Sequence, residues 1–129
     1  MSTLFWLFGV LNLANGFWML WSPESWYHHL PAGVPDTGPL NVHFVRDIGA
    51  AFTTIGIAFC AAAPHAARHR SVVFAAAVFY VLHALVHVAD MLSGRLHGGH
   101  WLIDLPGVFQ PALILTVLCL PRWWRAQDE

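Results

Sequence analysis

The chain has 129 residues, of which 57% are apolar and 10% charged, with a formal net charge of -1. A soluble domain carries about 25% charged residues, so this composition is that of a membrane protein, and its apolar content excludes disorder. Six arginines, no lysine and no basic stripe give no support to a nucleic-acid partner, and the length fits one domain, 1–129. Nine histidines are the feature left to explain.

A bilayer core about 30 Å thick needs roughly 20 apolar residues per spanning helix, and four windows qualify. The first, 4–21, carries only Asn12 and Asn15 as polar interruptions, placed for hydrogen bonds between helices. It lacks a basic leader and a small-residue cleavage site, so it reads as a retained helix and not a signal peptide. The linker 22–41 is rich in Pro and Gly, with a short interfacial helix expected near 24–30. The second span, 42–63, holds His43, Arg46 and Asp47 near its start, and the third, 71–92, holds His83, His87 and Asp90. The fourth, 102–120, contains Gln110 and Pro111, where a kink is expected, and ends at Pro121 before the belt residues Trp123 and Trp124. The expected fold is an all-α, four-transmembrane-helix antiparallel bundle.

Arginine placement gives the orientation, because cytoplasmic loops carry the excess of basic residues. Arg68 and Arg70 lie in the second loop, and Arg122 and Arg125 in the C-terminal tail. Both termini are therefore expected in the cytoplasm, with the first and third loops outside. Arginine without lysine, beside abundant alanine, suits a GC-rich bacterium and hence its inner membrane, with the polar end facing the periplasm. Cys60 and Cys119 belong to no CxxC pattern and read as apolar packing.

In that topology the polar residues of the second and third spans meet in depth. At about 1.5 Å per residue, Asp47 and His87 both lie roughly 8 Å inside the outer boundary. They also share faces: His43 and Asp47 are i, i+4, as are His83 and His87, and Asp90 continues that stripe with Tyr80 one turn below. His43, Asp47, His83, His87 and Asp90 thus form a candidate metal set, with Arg46 and Tyr80 placed to hold a cofactor or anionic substrate. Imidazole with carboxylate suits zinc, iron or copper(II) without distinguishing them, and one aspartate can serve by orienting a histidine. His28, His29, His97 and His100 lie in the outer loops and could guide metal inward, and Asp104 begins the fourth span at the same end.

Two other readings stay open. Haem b between His43 and His83 or His87 is one, with Gly49 and Gly56 making room for a macrocycle or, more simply, for close helix packing. A purely structural polar network is the other.

The stretch Asn41 to Gly56 (NVHFVRDIGAAFTTIG), with an Arg ahead of small residues at the start of a span, resembles small four-helix bacterial membrane proteins of the DoxX-like kind. That resemblance implies the four-span layout and an oxidoreductase or quinone-associated role, and it carries over no ligand.

The sequence therefore leads to an integral membrane protein that binds a transition metal in its outer leaflet, as a metal-dependent enzyme or oxidoreductase acting on a lipophilic substrate. A metal-delivery or accessory subunit with a membrane protein partner, a haem electron-transfer subunit, and assembly as a homo-oligomer are the alternatives.

Overall fold

The computed structural model describes residues 1–124, without the side chain of Arg122. Among them there are helices and turns and no strand. The helices are α1 (Ser2–Trp21), α2 (Pro23–His29), α3 (Val42–Ala62), α4 (Arg70–Leu92), α5 (His100–Ile103) and α6 (Gln110–Leu118). Short 3-10 turns cover Val34–Thr37, Ala63–Arg68 and Pro121–Trp123, and a π turn covers Leu105–Phe109. Three helical stretches are long and apolar enough to cross a membrane: Ser2–Trp21, Val42–Arg68 and Arg70–Leu92.

The chain forms two compact units. Met1–Leu30 and Gly38–His69 make the first; Pro31–Thr37 and the described residues from Arg70 make the second.

In the first unit α1 and α3 run antiparallel and touch backbone to backbone at two crossings. A Cβ on Gly56 would lie 2.8 Å from Leu13 N and 2.9 Å from Gly9 O, and one on Gly16 would lie 2.7 Å from Gly49 O. The glycines are a heptad apart on both helices, so the backbones approach closely at both crossings, with Leu13, Met19, Thr53 and Cys60 packed against the glycines of the facing helix. Room beside Gly49 and Gly56 is thus taken by α1, not left for a macrocycle. Phe59 closes the seam, edge-on to Phe5 at 5.2 Å and stacked on Phe8 at 5.5 Å. Asn41 caps α3 by accepting the Phe44 N–H at 3.1 Å.

The short helix expected near 24–30 is α2, with Pro23 in its first turn. Trp26 Nε1 donates to Asn15 Oδ1 at 2.9 Å, which makes Asn15 an interhelical anchor as expected. Asn12 donates to Phe8 O at 2.8 Å within its own helix.

In the second unit α4 packs antiparallel to α6. Arg70 Nη2 donates to Cys119 O at 2.8 Å at one end, and His87 meets Asp104 at the other. The fourth apolar segment is not one long helix. Asp104 is a turn between α5 and the π turn, Pro106 and Pro111 each lack an N–H, and the apolar helical stretch is Leu105–Leu118. That stretch is about 21 Å long, well short of a bilayer core. Trp124 is buried, its Nε1 donating to Leu118 O at 2.7 Å, whereas Trp123 is exposed. Arg125 lies outside the described residues.

Candidate metal centre

Two left-handed glycines bring ligand atoms together in the second unit. Gly33 takes φ +59, a left-handed conformation suited to glycine. It starts the Val34–Thr37 turn, in which the Asp36 N–H bonds Gly33 O at 2.9 Å. A Cβ on Gly33 would meet His100 Cε1 at 3.2 Å, so the glycine also lets the turn sit against that ring. Gly94, at φ +76, ends α4 in the left-handed cap that lets Leu96 N–H reach back to Asp90 O at 3.1 Å. Leu96 is buried there and pins the His97–Gly98–Gly99–His100 segment.

The outcome is a cluster of Asp36, His97 and His100 whose ligand atoms all lie within 4.8 Å of one another. Asp36 Oδ2 is 3.2 Å from His100 Nε2 and 3.3 Å from His97 Nε2. Ligands of a tetrahedral ion with bonds of about 2.0–2.1 Å are about 3.3–3.4 Å apart. Two of the three separations match, and the third lies within 4.8 Å. Among the described residues this is the one group of three such side chains close enough to share an ion.

Burial is graded across the cluster. His100 is fully buried at 0% side-chain exposure, while Asp36 and His97 are open to solvent at 49% and 61%. Behind His100 stands Asp104, also buried, whose carboxylate oxygens are 3.2 and 3.3 Å from His100 Nδ1. A carboxylate only accepts, so His100 donates Nδ1–H and turns Nε2 toward Asp36. Carboxylate behind imidazole is the usual way a ligating histidine is oriented. Burial alone would lower the His100 pKa, but the hydrogen bonds to Asp104 and then Asp36, with their charges, outweigh it and raise it above 6.5. Hydrogen bonds from His100 and then His97 hold Asp36 below its usual 3.8. With a carboxylate at each nitrogen, His100 is either a cation donating at both ends or a neutral ring with a metal at Nε2.

His97 is differently placed. Its Nδ1 accepts the Gly99 N–H at 3.1 Å, so its Nε2 carries the proton that faces Asp36. Ligation through Nε2 moves that proton to Nδ1 and gives up the Gly99 bond, which an exposed diglycine loop can do cheaply.

The residues singled out from the sequence fall into both units. In the first, His43 Nε2 and Asp47 Oδ2 do pair, at 3.4 Å, and are exposed. Arg46 donates from Nε to Leu20 O at 3.3 Å. His28 lies edge-on to Tyr27 at 4.9 Å, and His29 Nδ1 is 2.9 Å from Ser25 O. In the second, His83 and His87 are neighbours with ring centres 4.8 Å apart. His83 stacks on Phe79 at 6.1 Å, and Tyr80 is buried with its ring edge-on to Phe79. Asp90 leaves that stripe to take Arg95, at 2.7 Å. His87 turns to Asp104, Nδ1 to Oδ2 at 2.7 Å.

The sequence marks His97, His100 and Asp104 as outer polar residues, and the His100 to Asp104 spacing of four is a signal of their pairing. It does not mark Asp36, since nothing in a Pro-Asp-Thr turn announces a partner more than 60 residues away. No family model matches the chain, and no curated protein and no solved structure matches it.

Proposed function

We propose that the protein is an integral membrane protein that binds one divalent transition metal ion between Asp36, His97 and His100. The observation that carries this reading is the convergence of two imidazole Nε2 atoms on one carboxylate oxygen at 3.2 and 3.3 Å, the spacing of ligands around a small ion. The exposed apolar residues Trp6, Leu11 and Phe17 of α1 and Phe74, Leu82 and Val86 of α4 are what lipid-facing helices present. With Arg68 and Arg70 inside, the Asp36 turn and the His97 loop both belong to the outer, periplasmic side.

A two-histidine, one-carboxylate set suits zinc, iron(II) or copper(II). Three protein ligands leave a further position, which is the pattern of sites that activate water or bind a substrate atom. The half-exposed Asp36 and His97 put that open position toward solvent.

The test is a titration of metal-depleted protein in detergent with zinc against a chromophoric chelator. We expect one equivalent to bind to the wild type and an affinity loss of about 100-fold or more in Asp36→Asn, which replaces a carboxylate ligand by a neutral amide, and in His100→Ala, which removes an imidazole. Equal affinity in wild type and both variants overturns the proposal.

A further inference from the structure

The carboxylate that orients His100 is already shared. Asp104 Oδ2 lies 3.2 Å from His100 Nδ1 and 2.7 Å from His87 Nδ1, and Asp104 itself is 1% exposed. His100 stands on α5, beside the outer loop, while His87 stands on α4, one of the membrane-length helices. Every buried side-chain nitrogen and oxygen among the described residues has a hydrogen-bond partner, so Asp104 is held from two sides and neither donor is spare.

We propose that Asp104 and His87 are positioning residues of the metal centre, joining it to α4 through one buried carboxylate. The inference rests on the metal reading of the Asp36, His97 and His100 cluster and deepens it. The chemistry is that of hydrogen bonds in series. His87 fixes the position of Asp104 by donating Nδ1–H at the short end of the N–H···O range. Asp104 then fixes the tautomer and direction of His100, leaving Nε2 as the metal-facing atom. A metal ion at Nε2 takes the place of the second proton of the cationic ring, which makes Nδ1–H a weaker donor than in the imidazolium, so Asp104 leans toward His87 and that bond strengthens. The metal is thereby sensed on α4 by a residue that does not touch it, and α4 in turn sets how tightly the metal is held.

The geometry selects the variants. Asparagine places an amide N–H close to where the histidine Nδ1–H stands, so His87→Asn keeps the donor, while His87→Leu removes it and keeps an apolar filler. Zinc affinity of the full chain in detergent should be near wild type in His87→Asn and reduced about 10-fold or more in His87→Leu, the scale of losses when an orienting partner is removed. Wild-type affinity in His87→Leu overturns the proposal.

A second measurement needs no variant that must fold. In wild-type protein with 15N-labelled histidine, zinc should shift the His87 Nδ1 resonance together with those of His97 and His100. Shifts at His97 and His100 with none at His87 overturn the coupling and leave the metal site standing. No zinc binding and no shift at any histidine overturn the metal site and the coupling together.

Discussion

His87 Nδ1 and Asp104 Oδ2, 2.7 Å apart, link α4 to the residues leading into α6. The two residues are 17 positions apart, yet the same aspartate also faces His100 on the preceding turn, at i, i+4. One carboxylate therefore serves as a hinge pin for a long apolar helix, a four-residue helix and a π turn.

Removing that pin should unfold the second unit more easily. Asp104→Ala leaves the Nδ1–H of His87 and the buried Nδ1–H of His100 without the acceptor they share, and a buried polar group stripped of its partner costs about 1–3 kcal/mol. We expect Asp104→Ala to lower the thermal midpoint in detergent clearly, and Asp104→Asn, which retains one acceptor, to lower it less. Equal midpoints for wild type and Asp104→Ala would show that the network carries no stability.

The cluster also sets opposite pH trends for the metal-free and metal-bound protein. His100 has its pKa raised from 6.5, so its contribution to stability is fully present below 6.5 and is lost as pH rises through the raised value. Asp36 has its pKa lowered from 3.8, so its contribution is present above 3.8 and is lost as pH falls through the lowered value. Metal-free protein should therefore lose thermal stability on the alkaline side of 6.5. Metal affinity runs the other way, since the ion must displace the His100 proton, and it should still be rising with pH above 6.5. Thermal midpoints and zinc affinity measured from pH 5.5 to 8.5 check both limbs. Parallel trends with and without zinc would exclude His100 as the group responsible.

In the first unit the sharpest expectation concerns the glycine seam. Adding a methyl at Gly56 drives it to 2.8 Å from the backbone nitrogen of Leu13, which cannot rotate away. Gly56→Ala should cost about 1–3 kcal/mol, the usual cost of overpacking. Gly107 is the control: a Cβ there meets nothing within 4 Å, so Gly107→Ala should be neutral or stabilising by up to about 1 kcal/mol. The two variants compared in one detergent give the answer, and a Gly56→Ala protein as stable as wild type would mean that the helices can separate without loss.

Much of this architecture was legible in the sequence, for reasons that differ by element. The three long helices follow from apolar runs of bilayer length, and α2 from Pro23 with Trp26 and Tyr27 beyond it. The heptad of Gly49 and Gly56 held the α1 crossing, although its partner glycines Gly9 and Gly16 went unpaired because pairing is a tertiary fact. The fourth segment read as continuous because hydropathy does not register two missing proline N–H groups or an aspartate engaged from both sides. At the candidate site the i, i+4 rule found true neighbours, His43 with Asp47 and His83 with His87. It cannot foresee the bonds that then claim them, such as Arg95 with Asp90 or Asp104 with His87. Asp36 lay beyond any local rule, since only the left-handed turn at Gly33 brings it to His100.

Two sets of histidine and aspartate can thus be weighed in one experiment. His43 and Asp47 are 88% and 60% exposed and 3.4 Å apart, and an exposed pair of this kind gains little from its mutual attraction and holds an ion weakly with two donors. Asp36, His97 and His100 offer three donors with a buried, pre-oriented member, so less ordering is needed when the ion arrives. The tight zinc equivalent should therefore survive His43→Ala and Asp47→Asn and disappear in Asp36→Asn. Copper(II), which prefers tetragonal nitrogen and oxygen donors, should follow the same order. Competitive titration of the four proteins decides the matter: an affinity that falls in His43→Ala or Asp47→Asn while Asp36→Asn keeps the wild-type value would move the metal centre to the start of α3.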